Sequence, residues 1–230
     1  AFMGLLATLS SGALVGVALQ IGLSTYRYWF KRLKIRRGWA IFTAVITFFL
    51  LFVQLFSNRG AFKFFITLAS FNPQTAYYRL LTWEYAGAVV LDNPIIGIGY
   101  ADWYRPPWMS ASVDALWLAL ALSYGMMMPI CLGLGAIMAM FYVGRSIRSM
   151  DPDTQQFALG WVYSLAGLIV TGFTVHFWSN MIVWFTMFIG IGVGAFASFR
   201  KAPQPKPANS SRPPRRDLTP AGVARVKAPN

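Results

Sequence analysis

The chain has 230 residues, of which 57% are hydrophobic and 12% charged, and its mean hydropathy is +0.52. Soluble domains carry about 25% charged residues, so the composition excludes an ordinary soluble globule and points to the membrane. The formal charge of +13 does not mark a nucleic-acid binder, because six of the twenty basic residues lie in 27–37 and eight after residue 199, each group beside an apolar run.

Five stretches approach the roughly 20 apolar residues that a helix needs to cross a bilayer: 2–25, 39–56, 115–143, 157–178 and 180–199. They predict an all-α fold, a polytopic membrane helix bundle of about five transmembrane helices with one large extracytoplasmic loop, 57–114, that carries short helices. Residues 1–199 form the membrane domain. The run starts at Ala1 without a charged leader region, which reads as the C-terminal portion of a longer protein. Small residues recur within spans, as in "GLGAI" and "GIGVGAF", and allow helix backbones to approach closely. Gly125 and Pro129 predict a kink in the third span.

Between the spans, 27–37 and 144–153 are basic, and the tail 200–230 is basic and rich in proline and serine. Basic loops stay cytoplasmic, so these three segments belong inside and the tail is a disordered cytoplasmic segment that touches anionic membrane lipids. The charge-balanced loop 57–114 and the tight turn at 178–180 then face outward. His176 stands at the outer end of a span and reads as an interfacial residue. Cys131 and His176 are the single members of their types, too few for a disulfide or a zinc set. No cofactor is implied.

The outer loop has structure of its own. "AFKFFITLASF" (61–71) is a short apolar helix at the interface. Asn72-Pro73 starts a helix in which Tyr77, Leu81, Glu84/Tyr85 and Ala88 recur at helical spacing, and Asn93-Pro94 ends it. "GIGYADWYRPPW" is irregular, with Gly97 and Gly99 available for positive φ.

The order Arg79, three residues, Trp83, then "NPIIGIG" and a return to an apolar helix resembles the O-antigen ligase and O-antigen polymerase superfamily. "LLATLSSGALVG" (5–16) is similar to that family's Ser/Thr-rich first helix. The family's His-Asn-x-x-Leu motif falls on "SVDALWL", with Val113 at the histidine position and Asp114 at the asparagine, and Ser11 replaces the usual arginine. "Ser-Val-Asp" and "Ser-Ser-Gly-Ala" are similar to some exopolysaccharide polymerases of the superfamily. The resemblance implies a metal-independent membrane glycosyltransferase in exopolysaccharide, capsule or O-antigen (lipopolysaccharide) assembly. It would act at the outer face of the bacterial inner membrane, on an undecaprenyl-pyrophosphate-linked oligosaccharide and an acceptor glycan or lipid, beside other polysaccharide-assembly proteins.

Within that frame Arg79, Asp114 and Glu84 are the catalytic residues expected. Arginine grips a pyrophosphate bidentately and keeps its charge at low dielectric, and a carboxylate partly buried at the membrane surface has its pKa raised towards use as a base. Arg105, Asp102, Trp103, Tyr104 and Trp108 are the substrate-binding residues, a second guanidinium with hydroxyl-binding and ring-stacking groups. Each has a structural alternative: an Arg79–Glu84 pair along a helix, Arg105 snorkelling to the interface, Asp114 as a helix cap, and the aromatics as an interfacial belt. A transporter or a non-catalytic scaffold of an export system is the competing reading. No ionisable residue sits deep in a span and no inverted repeat is evident, which weighs against transport.

Overall fold

The computed structural model describes residues 11–32, 44, 47–48, 51–52, 54–55, 60–70, 72–178 and 180–198. The start of the first predicted span (2–10), most of the second (39–56), residues 33–37 of the basic run and the tail 200–230 lie outside them. The described residues are all-helical, with seven α-helices and no strand: α1 (Ser11–Arg32), α2 (Gly60–Leu68), α3 (Pro73–Asp92), α4 (Leu116–Tyr124), α5 (Met127–Ser146), α6 (Pro152–Thr171) and α7 (Asn180–Ser198). Of these, α5, with mean hydropathy 1.8, is long and apolar enough to cross a membrane, and α7 is apolar over Asn180–Phe196.

In the outer loop the expected helix 61–71 runs from Gly60 to Leu68, and α3 begins and ends where its residues predict. The Asn72 side chain accepts from the Gln74 N–H at 2.8 Å and Pro73 occupies the first turn of α3, where its missing N–H costs nothing. Asn93 caps the other end, its N–H reaching the Val89 and Val90 carbonyls. The long third span divides at Gly125 into α4 and α5. Pro129 lies in the first turn of α5, where proline is tolerated, so the break belongs to the glycine alone.

Two span ends and one turn differ from expectation. α1 runs on to Arg32, into the basic segment. α6 stops at Thr171, and residues 172–178 that follow it are irregular rather than helical up to a tight turn at 178–180. The physical reason for the early stop is visible at its end. The Ile169, Gly172, Phe173 and Val175 carbonyls accept from Trp117 Nε1, Trp117 N, Trp83 Nε1 and Leu116 N. Hydrogen bonds from α3 and α4 thus take up acceptors that further helical turns would otherwise use.

α6 is the packing centre, against α1, α5 and α7. Its contact with α1 depends on small residues: a Cβ on Gly167 would stand 3.1 Å from the Gly16 carbonyl oxygen, and one on Gly16 would meet Thr171 Oγ1 at 2.9 Å. Thr171 Oγ1 donates to the Gly12 carbonyl at 3.2 Å across this seam. The "GIGVGAF" run matters at one position. A Cβ on Gly192 would overlap the Trp161 indole, whose Nε1 donates to the Phe188 carbonyl at 3.0 Å. Gly192→Ala is therefore expected to cost about 1–3 kcal/mol of stability through overpacking, read as a lower unfolding midpoint in detergent, whereas Gly190→Ala, with open space around it, should leave the midpoint in place.

Candidate functional site

The site lies between the first half of α3 and the stretch 108–114 before α4, two segments that are both fastened to the loop after α6. α3 is fastened by Trp83, one turn beyond Arg79. Its indole donates to the Phe173 carbonyl at 3.3 Å, stacks on the Phe173 ring at 6.3 Å and meets Phe62 edge-on at 4.8 Å. The stretch before α4 is fastened by Leu116 N, which donates to the Val175 carbonyl at 3.2 Å. Trp83 and Phe173 thus hold the guanidinium's helix against the loop that carries His176.

The "NPIIGIG" stretch closes the far end of this frame. Ile98 N and Gly99 N donate to the Leu122 and Ser123 carbonyls at 2.8 and 3.1 Å, and Met126 N returns a bond to the Pro94 carbonyl at 2.8 Å. The loop thereby satisfies carbonyls in the last turn of α4 that have no helical partner. Gly97 and Gly99 have φ of +73° and +66°, as the sequence predicts. Gly97 also needs its missing side chain, because a Cβ there would lie 2.5 Å from the Leu122 carbonyl oxygen.

A polar cavity of about 420 Å³ results, lined by Thr75, Tyr78, Arg79 and Thr82 from α3 and by Trp108, Met109, Ser110, Ser112 and Asp114. Its volume falls in the range of small-ligand pockets, about 300–1,000 Å³. Arg79 is half-buried and donates to Ser70 Oγ at 2.7 Å. Burial lowers the pKa of its guanidinium and the charge of Asp114 pulls it back up. Asp114 accepts from the Ser112 hydroxyl at 3.1 Å. It does not cap α4: Ala115 holds that position, with no side-chain bond. Nor is Asp114 partly buried as expected; it is exposed at the cavity, between two neighbours, Val113 and Ala115, that are both buried. Val113 is buried among Ala86, Trp103 and Leu118, a core position.

The structure brings together Arg79, Asp114 and Trp108 of the residues expected from sequence, and adds Tyr78, whose ring lies 6.5 Å from that of Trp108 on the cavity wall. Glu84 lies elsewhere. Among the described residues it is the one charged residue lining a second hollow of about 660 Å³ between α3 and helices α4, α5 and α6, with Trp83, Leu91, Trp117, Ile130 and Phe173 among its apolar walls. Arg105 braces its own loop. It pairs with Asp102, donates to the Trp103 and Met109 carbonyls at 3.1 and 3.3 Å, and sits 5.4 Å over the Trp103 ring. Its hydrogen bond holds the exposed Asp102 carboxyl below the usual carboxylate range. Trp103 is buried, with its Nε1 donating to the Ala111 carbonyl at 3.0 Å, while Tyr104 is exposed and lines neither hollow.

Sequence reasoning passed over Thr75, Tyr78 and Thr82, although they recur at intervals of three and four residues, with Arg79 four after Thr75 and three before Thr82, on one face of a helix. Ser70 carries no signal that would single it out. The chain's one Asp-x-Asp pair, Asp151 and Asp153, stands at the other end of α6, where Asp151 accepts from the Thr154 N–H at 3.0 Å and caps the helix.

The O-antigen ligase family model matches residues 1–117, about half of the chain, from α1 through the start of α4. No curated protein and no solved structure matches.

Proposed function

Since the chain belongs to the O-antigen ligase family, a family of membrane enzymes of the ligase and glycosyltransferase type, we propose that it transfers glycan from an undecaprenyl-pyrophosphate-linked donor to an acceptor sugar. The observation that carries this reading is the pair of hollows on two flanks of α3. Thr82 lines the polar cavity with Arg79, and the next residue, Trp83, lines the apolar one. A lipid diphosphate presents the matching pair of surfaces, a charged headgroup and a hydrocarbon chain.

In the proposed reaction Arg79 holds the pyrophosphate and stabilises it as it departs, which is electrostatic catalysis of the kind that is usually the largest contribution. Asp114 receives the proton of the acceptor hydroxyl. Tyr78 and Trp108 offer ring faces to the sugar, and the chain works without a metal. Arg105 and Asp102 shape the loop that carries Trp108.

The proposed topology is the five-span bundle, with 57–114 outside and the basic segments 27–37 and 144–153 inside. Its support is the length of α6. Asp151 and the cavity loop stand at opposite ends of this 20-residue helix, about 30 Å apart, which equals the hydrocarbon thickness of a bilayer. A test uses proteoliposomes holding the protein, a lipid-linked oligosaccharide and an acceptor glycan. The wild type should consume the donor and release undecaprenyl pyrophosphate, and Asp114→Asn should slow it about 10²-fold. Donor left intact by the wild type, or an unchanged rate in the variant, refutes the assignment.

A further inference from the structure

His176 is half-buried on the loop that follows α6, two residues beyond Thr174 and directly after Val175, whose carbonyl binds Leu116 N. That bond and the one from Trp117 N to the Gly172 carbonyl at 3.4 Å hold residues 172–175 against 116–117, so the loop residue next to Val175 lies near the chain two residues before Leu116. The imidazole meets the Trp178 ring edge-on at 4.5 Å, which restricts its orientation. Its Nδ1 is buried and has no hydrogen-bond partner among the described residues. A buried polar nitrogen left in this way is uncommon and calls for a reason.

Resting on the transfer reaction above, we propose that His176 acts through Asp114 as a positioning and proton-relay residue, taking up the proton that Asp114 receives from the acceptor. Atoms and charges balance. The acceptor oxygen bonds to the anomeric carbon of the donor, and the bond from that carbon to the pyrophosphate oxygen breaks. The pyrophosphate leaves with the electron pair beside Arg79, and the proton rests on His176 until water removes it.

The electrostatics favour this direction of transfer. Burial lowers the His176 pKa and keeps the resting imidazole neutral and able to accept, while the negative charge of Asp114 acts in the opposite sense and favours the cation once formed. Arg79 bears on the same carboxylate. Of the other elements around the loop, α2 contributes one charged residue, the exposed Lys63, and residues 11–26 of α1, 172–178 and all of α7 contribute none.

The chain has a single histidine, so imidazole nitrogen NMR of the full chain, purified without a histidine tag into lipid nanodiscs, reads His176 alone. Its titration midpoint should lie below that of a free imidazole. Asp114→Asn should move it lower still by at least about half a pH unit, and Asp114→Glu should largely restore it. A midpoint indifferent to Asp114 overturns the pairing. In the proteoliposome assay, His176→Gln should reduce kcat about tenfold at constant KM and abolish the fall in rate on the acid side of about pH 5 to 8. A variant that keeps the wild-type kcat and acid limb overturns the relay. Wild-type protein that consumes no lipid-linked donor refutes the transfer reaction, while the NMR titration still decides whether the two side chains are coupled.

Discussion

Arg79→Lys is expected to lower donor consumption about 10²-fold in proteoliposomes, and Arg79→Ala at least as far. Lysine keeps the charge but loses the planar fork, and a diphosphate is held by paired N–H groups as well as by charge. The position also constrains the fork, because one terminal nitrogen donates to Ser70 Oγ at 2.7 Å while the side chain lines the cavity opposite Asp114. An ammonium on a flexible stem can donate to a hydroxyl, but it has no planar fork to hold Ser70 and a diphosphate together. A scaffold or export component should tolerate lysine here, so a Lys variant with the wild-type rate, at equal protein in the membrane, removes the diphosphate from the reading.

The second large effect is structural. Gly125→Ala should destabilise the protein by about 3 kcal/mol or more, a drop of roughly 6–12 °C in its unfolding midpoint. Gly125 ends α4 with φ +77° and ψ 172°, a conformation open almost only to glycine. A Cβ there would also collide with the Ile95 carbonyl, which is backbone and cannot turn aside. Gly97, facing it with φ +73°, is bound by the same clasp. Gly99→Ala is the control: its φ is +66° but nothing lies within reach of a Cβ, so it pays the conformational strain without the collision and should lose less.

Much of the loop was legible because its punctuation is local. Asn72-Pro73, Asn93-Pro94 and the glycines at 97 and 99 act within a few residues of themselves, and α3 follows from them. The division of the third span was also readable at Gly125, though Pro129 suggested more disturbance than a first-turn proline causes. The end of α6 was not readable. Residues up to 178 are as apolar as the helix before them, and the bonds found at its end come from distant segments, Trp117 to the Ile169 carbonyl in the last turn and Trp83 to the Phe173 carbonyl just past it. His176 reads as an interfacial residue from sequence for a similar reason, since nothing local links it to Asp114, 62 positions away. Arg105 misled in the opposite direction, since a guanidinium between aromatic residues suggests a ligand when its partners are an aspartate three residues back and two carbonyls of its own loop.

The indoles at 83 and 117 both bond to main-chain oxygens, at 173 and 169. Any amino acid supplies a carbonyl, so as far as these two bonds are concerned positions 169 and 173 are free to drift while 83 and 117 are not. Relatives of this chain should then keep both tryptophans without any compensating partner, and correlated substitution would not betray either contact. Anyone grafting this loop onto another scaffold would have to transplant the backbone path of 169–173 together with the one ring, Phe173, that packs against both indoles.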